Sequence, residues 1–138
     1  GEKIPPMSWL QVIDQCAEAN QVDPLLVWAL IDTESAWQED AISSKGAQGL
    51  MQLMPKTAKE LEVSDPFNAA ENIRGGISYM RYLIEMFNDT DTALAAYNVG
   101  LGTVGRNGIP PAGKRYIEKV RKRFARLQER FGTMVASS

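Results

Sequence analysis

The chain has 138 residues, 44% of them hydrophobic, and a formal charge of −2, a size and composition that suit one domain with an apolar core and need no disulfide or structural metal. It has no histidine and a single cysteine, which excludes the usual zinc ligand sets and any Ser-His-Asp or Cys-His pair. Its chemistry must come from carboxylates, hydroxyls, amides or basic groups.

Helical spacing recurs along the chain, whereas alternating β-branched runs bounded by turn residues are missing, so an all-α fold is expected. Pro5-Pro6 opens a first helix with Trp9, Val12, Ile13 and Cys16 on one stripe, ending near Asn20-Gln21. On that stripe Cys16 reads as a small buried thiol, and cysteine usage leaves the compartment open. Asp23-Pro24 starts a second helix, because aspartate caps exposed amides and proline fits the first helical position; it runs to about Ala36. The longest apolar run, Leu25 to Ile31, is far shorter than the roughly 20 residues that span a bilayer. No charged-then-apolar signal segment opens the chain, so a soluble domain, processed or excised, is expected.

Residues 43–49 contain two glycines and two serines, a composition for a loop whose backbone approaches a ligand. Pro55 and Thr57 open a short helix to about Leu61. After the turn at Asp65-Pro66, Ile73, Ile77, Met80, Leu83, Ile84 and Phe87 keep helical spacing across about Glu71 to Phe87. Asn88-Asp89-Thr90-Asp91 breaks that helix, Thr92 to Val99 forms a short one closed by Gly100, and Gly102 to Gly113 reads as a connection before the last helix. No internal repeat or second-domain linker is apparent, so one domain over residues 1–138 is expected.

The last helix carries eight basic residues, Lys114, Arg115, Lys119, Arg121, Lys122, Arg123, Arg126 and Arg130, against Glu118 and Glu129, so it is about +6 and the rest about −8. Such a helix can hold an anionic polymer or present a solvated face that balances an acidic body. Phe124 and Phe131 share helical spacing with Ile117, Val120 and Leu127, so they belong to the buried stripe and make no stacking platform; nucleic acid is not an expected partner.

On the second helix Leu26, Leu30 and Glu34 are spaced four apart, which sets a carboxylate at the end of an apolar stripe. Burial there disfavours the charged form and raises the pKa, as a general acid near neutral pH requires. A paired or solvated helix-end glutamate fits the same spacing. The string that follows carries more: Glu34-Ser35, then Ser43, then Gly46-Ala47-Gln48-Gly49-Leu50-Met51-Gln52-Leu53-Met54-Pro55. Asn72-Ile73, Gly75-Gly76 and Ala95-Ala96-Tyr97-Asn98-Val99-Gly100 follow in order.

In order and spacing these blocks resemble the transglycosylase SLT domain of the soluble lytic transglycosylases, over about Val22 to Tyr116. The resemblance implies a lysozyme-like α fold with a substrate cleft and cleavage of the bond between N-acetylmuramic acid and N-acetylglucosamine in peptidoglycan. It implies that Glu34 protonates the glycosidic oxygen and then, as a carboxylate, takes a proton from the muramic acid O6 hydroxyl while O6 attacks C1. A 1,6-anhydro ring closes without water, so one acid suffices where most glycosidases use two carboxylates.

Carried over by position, Ser35 orients the N-acetyl group of the muramic acid, although a serine there can also satisfy the helix end. Gln52 resembles a substrate-binding glutamine, suited to amides and hydroxyls on sugars. Met51 and Met54 either line sugar subsites or belong to the core. Tyr97 is expected near Glu34, hydrogen-bonding to the carboxyl or the substrate; Asn98 contacts substrate or braces its loop; Tyr116 opens the last helix and lines the cleft. The family commonly has Glu-Thr shortly before that tyrosine, where this chain has Ala112-Gly113, so the contacts of that acid and hydroxyl are not expected here.

Glu39, Asp40 and Asp32 are the only acids close to Glu34 in sequence and read as solvated, capping or differently facing residues. No cofactor or metal is implied. The expected partner is the glycan strand, acted on by a monomer in the periplasm or cell envelope, or by a secreted or phage-associated protein, with an envelope or secretion-machine protein as a second partner. A goose-type muramidase and a weakly active glycan-binding or assembly module are the competing expectations.

Overall fold

The computed structural model describes residues 5–132, and among these the regular elements are all helices. They are α1 (Met7–Asn20), α2 (Pro24–Ser35), α3 (Pro55–Glu60), α4 (Ala69–Phe87), α5 (Thr90–Val99), α6 (Leu101–Asn107) and α7 (Pro111–Leu127), the last continued by a π-helical turn, Gln128–Gly132. Extended pairing is limited to isolated bridges, Ile42 with Gln48 and Gln48 with Leu53. The chain divides into two compact units, Gly1–Tyr79 and Met80–Ser138, and the boundary falls inside α4.

In the first unit α2 is the core helix. Asp23 Oδ1 accepts the Leu25 N–H at 2.9 Å, and Pro24 occupies the first position, as the sequence predicts. Leu26, Val27, Ala29, Leu30 and Ile31 are all buried, on more than one side of the helix, and a helix apolar nearly all round belongs in an interior. Full burial of a side chain such as Leu30 contributes about 1.5–3 kcal/mol. Helix α1 packs against α2. Its buried residues are Ile13 and Ala17, whereas Trp9, Val12 and Cys16 are only partly covered, so the buried stripe is centred one turn later than the sequence reading has it. Leu53, Ala58 and Val63 form a further buried cluster with Leu61 against it.

Helix α4 begins at Ala69, earlier than Glu71, because Asn68 Oδ1 accepts the Glu71 N–H at 3.0 Å. Its buried positions in this unit are Ala69, Asn72, Ile73, Gly75, Gly76 and Ile77.

In the second unit α5 begins at Thr90, where Asp89 Oδ2 accepts from the Thr92 N–H and hydroxyl at 2.9 and 2.6 Å. The connection expected from Gly102 to Gly113 holds a seven-residue helix instead, α6. Glycine disfavours helix by about 1 kcal/mol relative to alanine, but Val104 is buried there and α6 packs on α5, so tertiary contact overrides propensity. Helix α7 starts at Pro111, with proline at its first position. A Cβ on Gly113 would lie 3.2 Å from the Ala95 Cβ and 3.1 Å from the Ile109 Cγ2, so glycine there permits a close approach of α7 to α5. Tyr116 and Val120 are buried, while Lys114, Arg115, Lys119, Lys122 and Arg126 are exposed. Arg121 pairs with Asp91 at 2.6 Å, so part of the basic excess meets the acidic body.

Candidate active site

Glu34 stands on the last turn of α2, half-buried, three and four residues after the fully buried Ile31 and Leu30. The helix cannot continue beyond Ser35, because Ala36 and Trp37 both adopt left-handed backbone, φ 50° and 65°. For residues with a Cβ this costs about 1–2 kcal/mol each. The turn is held by Ala36 N–H to Asp32 O and Gln38 N–H to Ser35 O, both 3.1 Å. It is also held by Trp37, which is buried edge-on against Trp28 with ring centroids 5.8 Å apart at 83°, an arrangement favoured by the ring quadrupoles. Ser35 is buried and its hydroxyl donates to Ile31 O at 3.2 Å. That bond is the helix-end alternative noted from the sequence.

The segment from Ala41 to Met54 is a tightly bonded loop. Ser43 caps a turn, its Oγ accepting the Ala47 N–H at 2.9 Å. Gln48 exchanges backbone bonds with Leu53 at 2.9 and 3.0 Å, and Gly49 N–H donates to Ala41 O at 2.9 Å. Gln52 has left-handed backbone, φ 53°, and its Nε2 donates to Ala41 O at 3.1 Å and Gly49 O at 2.8 Å. Both amide hydrogens therefore brace the loop.

Asn72, from the first turns of α4, closes the loop from below. It is 0% exposed. Its Oδ1 accepts the Met51 N–H at 2.6 Å, and its Nδ2 donates to Gln48 O at 3.0 Å and Pro66 O at 2.8 Å. Three backbone groups, of which the Met51 N–H is buried, thus find partners in one side chain, and losing such a partner costs about 1–3 kcal/mol per group. Two glycines make room. A Cβ on Gly49 would collide with Pro66 O and the Asn72 amide, and one on Gly76 with the Met51 side chain. The sequence pattern marks Asn72 only as part of a motif. A buried amide next to apolar Ile73 on a helix face is the signal of a structural hydrogen-bonding role.

The expected site residues fall into two groups. Glu34, Ser35, Gln52, Met51 and Met54 belong to the first unit; within it Met51 is fully buried under Gly76 and Met54 is 43% exposed. Tyr97 and Asn98, on the last turn of α5, and Tyr116, on α7, belong to the second. There Tyr97 is half-buried, Asn98 exposed and Tyr116 buried. Glu39 and Asp40 are exposed. At the rim of the first unit Glu71 Oε1 accepts from the Ser64 hydroxyl at 2.7 Å and the Ser64 N–H at 3.0 Å. These bonds hold its pKa below the ordinary carboxylate value. Among the described residues no cluster of three or more acidic or sulfur ligands forms a metal site, and no helix is long and apolar enough to cross a membrane.

The same fold occurs in an inactive mutant of lytic transglycosylase Slt from Pseudomonas aeruginosa, with a TM-score of 0.81 and 26% identity over 92% of this chain and 25% of that one. The 70 kDa soluble lytic transglycosylase from Escherichia coli matches with the same TM-score and coverage and 25% identity. The fold is therefore that of the lysozyme-like lytic transglycosylases. The sequence profile of the Transglycosylase SLT domain matches residues 11–120, and the chain belongs to that family. Relatives include the Transglycosylase of Enterobacteria phage PRD1, 38% identical over 68% of this chain and 36% of its own length. Another is Membrane-bound lytic murein transglycosylase F of Vibrio parahaemolyticus, 31% identical over 93% of this chain and 29% of its own. The chain spans about a third of the length of these relatives.

Proposed function

We propose that the chain is the catalytic domain of a peptidoglycan lytic transglycosylase, with Glu34 as the one acid and base. The observation that carries this reading is Glu34 itself, a half-buried carboxylate on the final turn of a core helix, within the matched family region. The chemistry closes with one group. The Glu34 proton passes to the glycosidic oxygen as the C1–O4 bond breaks, the muramic acid O6 bonds to C1, and the O6 proton returns to Glu34. No water is consumed and the carboxyl is regenerated, so a second carboxylate is not needed.

The two units work as one domain in this reading, supported by a family match that runs from residue 11 to 120 and by the continuity of α4 across their boundary. Gln52 offers glycan its Oε1, which makes no hydrogen bond among the described residues, while its Nε2 is spent on the loop. Ser35, Met54, Tyr97, Asn98 and Tyr116 carry over from the family as glycan contacts. Met51 acts beneath the loop, with no exposed surface to offer. The domain acts as a monomer in the bacterial cell envelope, as part of a longer envelope or phage-borne protein. The membrane-bound murein and phage relatives, each about three times as long, support the envelope or phage setting and the longer protein.

The relatives are named transglycosylases, which favours ring closure over the water-consuming muramidase route. The test is Glu34→Gln. Release of soluble fragments from purified peptidoglycan falls by about 10²- to 10⁴-fold, the range of general acid–base catalysis, while sedimentation with sacculi persists. Retained release would refute the assignment.

A further inference from the structure

Gln52 owes its place to a side chain on another element. The loop 48–53 is closed by the paired bonds between Gln48 and Leu53, and within it Met51 and Gln52 are neighbours. Asn72 grips this loop at both arms, through the Gln48 carbonyl on the entering side and the Met51 N–H on the leaving side. Its remaining amide hydrogen reaches Pro66 O, in the turn before α4. Gln52 then holds a left-handed backbone, and its Nε2 donates to the Gly49 carbonyl within the loop and to the Ala41 carbonyl of the segment leading into it. The direction of Oε1 is thereby set from the backbone outward.

We propose that Asn72 is a positioning residue for glycan binding: by fixing the Gln48 and Met51 backbone it fixes where Gln52 Oε1 meets the sugar. The proposal rests on the functional reading above. Asparagine supplies the one acceptor and two donors these three bonds use, a set that among the common side chains only the longer glutamine shares. Aspartate keeps the acceptor for Met51 but loses both donors and turns a charge toward two carbonyls. Leucine keeps the branched shape at a larger volume and loses all three bonds. The same side chain is walled in by Gly49, where a Cβ would strike it, so the loop and Asn72 have no room to shift independently.

The experiment uses Asn72→Leu and Asn72→Asp, with Gln52→Leu as the partner in a double-mutant cycle. Amide exchange at Met51 is read first. It accelerates most in Asn72→Leu, which loses the acceptor, and less in Asn72→Asp, which keeps the acceptor but frees Gln48 and Pro66, while the amides of α2 and α4 keep their protection, as expected for local opening. Release of soluble fragments falls by about 100-fold, the cost of a misplacement of about 1 Å in a bound reactant, with KM rising and thermal midpoints well above assay temperature.

In the Gln52→Leu background Asn72→Leu adds little, because the two act as one unit. If the losses multiply, or if Met51 exchange accelerates with activity unchanged, Asn72 is structural only and the proposal fails. Should Asn72→Leu not fold, Asn72→Asp carries the same cycle. A wild-type domain that releases nothing would overturn the functional reading and with it the role of Gln52, whereas the exchange data alone would still decide whether Asn72 holds the loop.

Discussion

Gly49→Ala isolates the steric demand of the motif loop from its backbone demand. Two glycines of the loop, Gly46 and Gly49, have left-handed backbone, φ 95° and 82°, and alanine at either costs about 1–2 kcal/mol on that ground. They differ in their surroundings. Nothing lies within 4 Å of a Cβ built on Gly46, whereas one on Gly49 meets Pro66 O and the Asn72 amide, backbone on one side and a fully bonded side chain on the other. Forcing atoms into such a site adds about 1–3 kcal/mol, so Gly49→Ala should cost about 2–5 kcal/mol against about 1–2 for Gly46→Ala. Urea unfolding of both variants and wild type, with equal slopes required for the comparison, gives the difference directly. Equal losses would refute the close approach of Gly49 to the Asn72 clamp. A loss confined to Gly46 would contradict the loop geometry altogether.

Other consequences follow from the caps and the rim. Asp23→Ala removes the bond to the Leu25 N–H and should lower stability by about 1 kcal/mol, read as a shift of the denaturation midpoint, with Asp23→Asn restoring most of it. Glu71 has its carboxyl held below its ordinary value of 4.5, chiefly by the Ser64 hydroxyl and N–H. Its folded pKa is the lower one, so its contribution is present above 4.5 and is lost as pH falls through the folded value. The stability difference between wild type and Glu71→Gln should therefore hold steady from about pH 7 to 5 and close in more acid solution. A gap unchanged in acid would contradict the Ser64 contacts.

Much of the architecture is legible because its local signals agree with its packing. Asp23-Pro24 starts α2 where the cap geometry begins it, and the apolar spacing from Ile73 to Leu83 marks residues that are fully buried in α4. Misreadings arise where a local signal is outvoted. The glycine- and proline-containing stretch from Gly102 to Gly113 reads as a connection, yet α6 forms because Val104 finds an interior. Pro111 reads as part of a connection and is the first residue of α7. The start of α5 moves forward because Asp89, inside what looks like a break, is its cap.

The site is legible in part for a different reason. Glu34 and Gln52 stand out through residue type and the family pattern, but what a side chain bonds to is set by backbone that folds back on it. Segment 43–49 suggests a loop open to a ligand, yet Gly49 is needed for approach to the chain's own Pro66 and Asn72. The positive φ of Ala36, Trp37 and Gln52 has no sequence signature, because burial and hydrogen bonds impose it on residues that rarely adopt it. The clamp by Asn72 spans 21 and 24 residues to Met51 and Gln48, beyond any local pattern.

The most direct measurement is mass spectrometry of the soluble products released from purified peptidoglycan by the wild-type domain and by Glu34→Gln. Products one water lighter than reducing muropeptides, absent with Glu34→Gln, are the expected result and the mark of the 1,6-anhydro ring; reducing products, or anhydro products that persist without the Glu34 carboxyl, would contradict the account.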